Sequence, residues 1–402
     1  YLISALYDEK KHMIEVLPEA AGETSLLGNI YVGKVENIVT NLNAAFVKIA
    51  PDIRCYLPLS DVKNPVFTRK LSQTKALAAG DELLVQVSRE ALKTKDPAVT
   101  TNLTIAGTYA VLTSGNRKKS VSSKVKGEAR ERLVKLVEQT AGEYGVILRT
   151  NAAEASDETV LLELEVLSER YETMAEAAHK NCYTLVYREE AGWLRHIRDL
   201  RKDDLEEIVT DDRGMFEDIC SACRIHKQAL TTGGSVPVPV DDVMTADGIR
   251  IRYYKDPALS LGALYSVRSE LKNALSERVW LKSGAYLVIQ PTEALTVVDV
   301  NTGKNVAKKE MQENFLRVNK EAAEEIARQL RLRNLSGMVL VDFINLTSKS
   351  AEEELLKTFR AALQKDPVPA QLIDMTALGL VEVTRKKIKR PLHEIFPDGL
   401  GF

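Results

Sequence analysis

The sequence predicts an α+β protein of several domains, and three observations carry that expectation. At 402 residues the chain exceeds one compact unit, since a domain takes about 150 residues. Between Gly28 and Thr100, short apolar runs are broken by turn residues, the pattern of a small barrel. In the last third a strand, a long amphipathic helix and a second strand follow one another, which predicts a parallel pair joined by a crossover.

Taken in order, Tyr1-Leu-Ile-Ser-Ala-Leu-Tyr7 and Met13-Ile-Glu-Val-Leu17 flank the charged turn Asp8-Glu-Lys-Lys11 and read as a hairpin within residues 1–24. The barrel runs are Ile30–Val35, Ala45–Ile49, Cys55–Leu57 and Leu83–Val87. Thr104–Leu112 reads as one strand. A Lys-, Ser- and Gly-rich loop, a helix near Ala129–Thr140 and the strand Gly145–Arg149 follow it. A helix over Asp157–Asn181 leads to the strand Tyr183–Tyr187. From Ile219 to Gly262, strand and helix signals alternate around the turn Thr231–Pro237. Tyr286–Ile289 and Leu295–Val300 are strands. The helix Gln312–Arg333 has Phe315, Val318, Ala322, Ile326 and Leu330 at three- or four-residue steps. Gly337 ends the connection, and Met338–Ile344 is the next strand.

Composition removes several classes. With 45% apolar and 28% charged residues the chain is neither collagen-like nor wholly disordered. No apolar run approaches the ~20 residues that span a bilayer. No secretion signal opens the sequence, and four cysteines cannot staple a chain of this size, so a reducing cytoplasmic compartment is expected. A net charge of −2 offers no global basic field, so nucleic acid would have to be bound by local patches.

The sharpest anomaly is one aspartate in each of two strands that otherwise read as core. Period-two alternation puts Asp299 and Asn301 on one face, and Asp342 points with Leu340 and Ile344. A crossover would set the two strands side by side, with both carboxylates at one end of the sheet, where α/β active sites lie. Two such carboxylates repel unless one is protonated or a cation sits between them. Two carboxylates, an amide oxygen and retained waters suit Mg²⁺. The alternative is that each aspartate caps a strand end or pairs with a nearby arginine. All five histidines lie outside these motifs.

Thr296-Val-Val-Asp-Val-Asn-Thr-Gly303, Glu325-Ile-Ala-Arg-Gln-Leu-Arg-Leu-Arg-Asn334 and Gly337-Met-Val-Leu-Val-Asp-Phe-Ile344 together resemble the catalytic region of the ribonuclease E/G family. The resemblance extends through Asn43-Ala-Ala-Phe-Val47, Tyr56-Leu-Pro-Leu59 and Leu148-Arg-Thr150, nearly the whole chain. It implies an RNase-H-like domain split between 1–24 and 191–274, an OB-fold RNA-binding domain at 25–101, a 5′-sensor region at 102–190 and a DNase-I-like catalytic domain at 275–402. The implied activity is a Mg²⁺-dependent endoribonuclease of RNA processing and decay. It would hydrolyse single-stranded RNA with a metal-activated water and leave 5′-phosphate and 3′-hydroxyl ends; Mn²⁺ is an expected substitute.

By the same resemblance Asp299 and Asp342 hold the metal and Asn301 orients the first of them. Phe46 and Tyr56 stack on RNA bases, and Lys95 holds a phosphate. Arg149 and Thr150, with Gly107 and Val111 on the backbone side, form a pocket for a 5′-terminal monophosphate. Read without the resemblance, an aromatic in a small barrel is more often a core residue and Lys95 a solvated surface charge; the alternative for Arg149 is a strand-end charge. Ser123 stands at a basic position of the family, and an arginine of the family is replaced within Asp366-Pro-Val-Pro369, which weakens the expected monophosphate preference. No Cys-Pro-x-Cys pair follows Leu392-His-Glu-Ile-Phe396. Structural zinc is therefore not expected, and a dimer is favoured over a zinc-linked tetramer. Two rival readings are a catalytically silent RNA-binding scaffold and a hydrolase of small phosphate esters. Cys220-Ser-Ala-Cys223 with His226 imitates a metal fragment but reads as buried thiols. Arg385-Lys-Lys-Ile-Lys-Arg390 is a basic cluster suited to RNA or a partner.

Overall fold

A computed structural model describes residues 1–20, 25–74, 76–91, 96–140, 142, 144–176, 181–200, 205–223, 231–232, 238–245, 248–302 and 311–400. The chain divides into two units, one of Tyr1–Ala21 with Tyr254–Phe402 and the other of Gly22–Tyr253.

The first unit is built on a six-stranded sheet. Its order is Arg278–Trp280, Tyr286–Pro291, Leu295–Asn301, Gly337–Asp342, Val381–Arg385 and Ala370–Met375. Only the central pair, Leu295–Asn301 with Gly337–Asp342, is parallel; the other pairings are antiparallel. A parallel pair needs a crossover, and the helix Met311–Leu332 lies in that connection. Its residues Val318, Ala322, Ile326 and Leu330 are buried as the sequence spacing predicts, whereas Phe315 is only half-buried. They pack with Val298, Val300, Val339 and Val341 from the sheet and Leu355 and Phe359 from the helix Lys349–Leu363. One face of the central strands is thus covered by helices. The alternate residues Val297, Asp299, Met338 and Asp342 are exposed on the other.

The expected N-terminal hairpin forms from Leu2–Tyr7 and Met13–Glu19. Met13 and Val16 join Leu271, Leu332, Leu392 and Phe396 in a smaller core, and Glu15 pairs with Arg331 at 2.7 Å. Arg385 does not belong to an exposed basic cluster. It is buried, with Nε 2.7 Å from Asp366 Oδ2. Its Nη1 donates to Asn334 Oδ1 at 2.8 Å and to the Leu335 carbonyl at 3.1 Å. Only Lys386–Arg390 remain exposed.

The second unit contains a closed five-strand barrel, as the short runs predict. Ile30–Val39, Ala44–Ala50, Ile53–Pro58, Ala98–Thr100 and Glu82–Arg89 pair in that order, and the last pairs back onto the first. Val35, Val47, Ile49, Cys55, Leu57, Leu83, Val85 and Val99 fill it. Asn43, at φ +47°, makes the left-handed turn between the first two barrel strands. Asparagine tolerates this conformation better than most side chains. Beyond the barrel, a four-stranded sheet orders Lys119–Val121, Gly145–Leu148, Ala110–Thr113 and Thr104–Ala106. Its apolar residues share a core with the helices Gly127–Glu138 and Asp157–Glu176.

Thr104–Leu112 is therefore not one strand but two, turning at Gly107–Tyr109. The cause is a carboxylate distant in sequence. Glu163 accepts hydrogen bonds from the Thr108, Tyr109 and Ala110 amides at 2.8, 2.6 and 3.0 Å. Those donors no longer need a strand partner. A Cβ on Gly107 would stand 2.6 Å from the Glu163 carboxyl, which explains the glycine.

Candidate active site and nucleic-acid interface

In the parallel register of the first unit, Asp299 is the direct partner of Asp342. Strands lie about 4.8 Å apart and paired residues share a face, so the two carboxylates are neighbours on the exposed side of the sheet. Asn301 follows two residues later on that face, and its Nδ2 donates to Asp299 Oδ2 at 2.7 Å. Buried Asn319 of the crossover helix pins the chain just beyond Asp342. It donates to the Ile344 carbonyl at 2.7 Å and accepts from the Ile344 amide at 3.1 Å.

Nearby arginines do not neutralise the pair. Arg328 is held by Glu325 at 2.6 Å, Arg331 by Glu15, and Arg333 donates to Gln329 at 2.5 Å. Among the described residues neither aspartate has a basic partner. Nor do three or more His, Cys, Asp or Glu side chains converge as a metal cage among those residues. Two open carboxylates fit a cation that keeps several waters and takes substrate oxygens, as Mg²⁺ does, better than one that needs a full protein cage.

In the second unit, Phe46 and Tyr56 face each other across antiparallel strands, with ring centroids 6.1 Å apart and planes at 73°. Both are half-buried, and they alternate with the core residues Val47, Cys55 and Leu57. They stand outside the barrel core. The Arg54 guanidinium lies 4.8 Å over the Phe46 ring and is held by Asp96 at 3.0 Å. Lys95 lies outside the described residues.

Arg149 follows the strand Gly145–Leu148. Its Nη1 donates to the Gly107 carbonyl at 2.6 Å and its Nη2 to Asp199 Oδ1 at 2.7 Å. Thr150 Oγ1 is 3.2 Å from Ser122 Oγ, and Val111 pairs with Ile147 on the adjacent strand. Arg149, Thr150 and Gly107 thus gather at one sheet end. Beside them Arg198 meets Glu190 at 2.7 Å, Glu189 at 3.7 Å and Asp199 at 3.5 Å. Its buried Nε has no hydrogen-bond partner among the described residues. Burial pushes the Glu189 carboxyl above the usual carboxylate range, against the pull of Arg198 and Arg195.

Residues 104–388 match the model of the ribonuclease E/G family. The chain is 34% identical to ribonuclease E of Nostoc sp. (strain PCC 7120) over 98% of its own length and 56% of that protein's. It is 32% identical to ribonuclease G of Escherichia coli (strain K12), over 95% of this chain and 77% of the relative. The chain belongs to the ribonuclease E/G family. It spans about half the length of the ribonuclease E relatives it matches.

The stretch matched to the ribonuclease E/G family holds Asp299, Asn301, Asp342, Arg149, Thr150, Gly107 and Val111. Phe46 and Tyr56 precede it. Arg54, Asn319 and Asp199 go unseen in the sequence, because each acts through a partner that only folding brings near. Asp199 comes 50 residues after Arg149, and no local pattern links them. Cys220 is buried in the helix Arg213–Ala222, and burial pushes its thiol up to about 11; His226 lies outside the described residues. Among the described residues, no helix is long and apolar enough to cross a membrane.

Proposed function

We propose that this member of the ribonuclease E/G family is a Mg²⁺-dependent endoribonuclease that hydrolyses single-stranded RNA at the Asp299/Asp342 face. The observation that carries this reading is the in-register pairing of the two aspartates, with Asn301 bonded to the first. Mg²⁺ between them would activate water and offset charge building on the phosphate oxygens, and Mn²⁺ would substitute. Asn301 occupies Asp299 Oδ2 and leaves Oδ1 for the cation. Asn319 holds the backbone that follows Asp342. Products would carry 5′-phosphate and 3′-hydroxyl ends, as water rather than the ribose hydroxyl attacks. Phe46 and Tyr56, standing outside the barrel core, favour an RNA strand over a small phosphate ester, since each would stack a base; Lys95 would hold a phosphate.

The same reading divides the chain into the RNase-H-like, OB-fold, 5′-sensor and DNase-I-like parts expected from the resemblance, working as a cytoplasmic dimer in RNA processing and decay. Cleavage of an end-labelled single-stranded RNA tests it. Fragments are expected with Mg²⁺ or Mn²⁺ and not with EDTA, each new end a 5′-phosphate. Equal cleavage in EDTA, or 2′,3′-cyclic phosphate ends, would reject the chemistry.

Arg149 and Thr150 would sense a 5′-monophosphate through an arginine fork and a hydroxyl. Asp199 lies against that fork, so a terminal phosphate would compete with a carboxylate for it. Arg149→Ala is expected to erase any rate advantage of 5′-monophosphorylated over 5′-hydroxyl RNA. Asp199→Asn removes the competing charge and should enlarge the advantage by up to about five-fold, the range of one exposed charge pair. Comparison of the two RNAs under single-turnover conditions checks both; an unchanged ratio in Arg149→Ala excludes the sensor.

A further inference from the structure

The open face of the six-stranded sheet carries a second feature beside the aspartates. The edge strand sets Arg278 opposite Val288 and Trp280 opposite Tyr286. The next pairing sets Val288 opposite Asp299 and Tyr286 opposite Asn301. Directly opposed residues share a face. One row across the sheet therefore reads Arg278, Val288, Asp299, Asp342, and the row beside it Trp280, Tyr286, Asn301.

Trp280 is 64% exposed. Its ring centroid lies 5.2 Å from that of Tyr286, with the planes at 54°. The Arg278 guanidinium sits 4.6 Å from the Tyr286 ring centroid and 5.8 Å from that of Trp280. Neither ring belongs to the core on the covered face, so folding of the sheet does not require them. Arg278 has no carboxylate partner among the described residues. A large aromatic left in water next to an unneutralised cation is the combination that binds single-stranded nucleic acid: the ring takes a base and the cation a phosphate. At about 4.8 Å per strand, Tyr286 stands one strand and Trp280 about 10 Å from Asn301.

We infer that Trp280 and Tyr286 form a stacking platform for a nucleobase beside the scissile phosphate, with Arg278 gripping an adjoining phosphate. The inference rests on the proposed cleavage of RNA at Asp299 and Asp342. The platform does not read base identity, because every base offers a π face. It fixes the sugar-phosphate next to the base, so that the bond to be cut lies against the aspartates.

The test pairs a missing base with a missing ring. An oligoribonucleotide with one mapped cleavage site is made with an abasic nucleotide at each flanking position in turn. For the unaltered chain, one abasic position is expected to lower kcat/KM by about ten-fold, the order of a single base–aromatic stack. Trp280→Ala should lose about as much on the intact RNA and nothing further on that abasic RNA, while Trp280→Phe restores most of the loss. Thermal unfolding of the variants verifies that the exposed position leaves the fold intact. If the two penalties multiply at every position, the platform is overturned while cleavage stands. If the unaltered chain cleaves none of these RNAs with Mg²⁺, the nuclease reading fails and takes the platform with it.

Discussion

Asp299→Asn and Asp342→Asn are each expected to lower single-turnover cleavage of a labelled single-stranded RNA by about a thousand-fold or more. That is the rate equivalent of the several kcal/mol a bound metal contributes to the transition state. RNA affinity should hardly change, because neither carboxylate attracts a polyanion. Folding should not suffer either: both side chains are exposed and bonded to no basic group among the described residues. Without metal the asparagine variants should be at least as stable as the unaltered chain, since substitution removes one of two like charges on adjacent strands. Added Mg²⁺ should raise the unfolding midpoint of the unaltered chain alone, because a ligand stabilises only the form that binds it. Cleavage at full rate by both variants would discard the site. RNA binding that ignores metal, with no cleavage by any form, would point to a silent scaffold.

The second large effect is on stability. Arg385 and Asp366 form a buried ion pair whose guanidinium also closes the turn at Asn334 and Leu335. Arg385→Met leaves Asp366 buried without its partner and is expected to cost about 3–5 kcal/mol in urea unfolding. Arg385 is the register partner of Gly337, the first residue of the Asp342 strand, so the loss falls on the sheet that carries the site. The double variant Asp366→Leu with Arg385→Met should recover much of the deficit, because it leaves no charge stranded. A single variant within about 1 kcal/mol of the unaltered chain would assign the pair no structural weight, the usual result for an exposed pair.

Much of the fold was legible because its signals are periodic and local. Alternation through Val297, Asp299 and Asn301 marks a strand with one polar face. The apolar steps of the crossover helix mark its ends to within a residue or so. The barrel follows from four short runs and their turns. What failed did so for want of long-range information. Thr104–Leu112 has the composition of a single strand, and only Glu163, 53 to 55 residues away, bends it into two. Arg385 looks like part of a basic run until Asp366 is found beside it. The aspartate pairing could be expected from the crossover, but the Asp199 clasp on Arg149 has no counterpart in sequence spacing. Trp280 lies in the short edge strand and Tyr286 opens the strand beside it, where an aromatic looks like ordinary strand composition.

The parallel ladder at the centre of the sheet makes assembly of the proposed site all-or-none. A one-residue misalignment between those two strands would turn Asp342 inward toward Val298, Ile326 and Phe359, burying an ion at a cost of several kcal/mol. A wrongly zipped chain therefore loses the aspartate pair and is penalised for the error, so correct pairing of the sheet and assembly of the proposed site are one event.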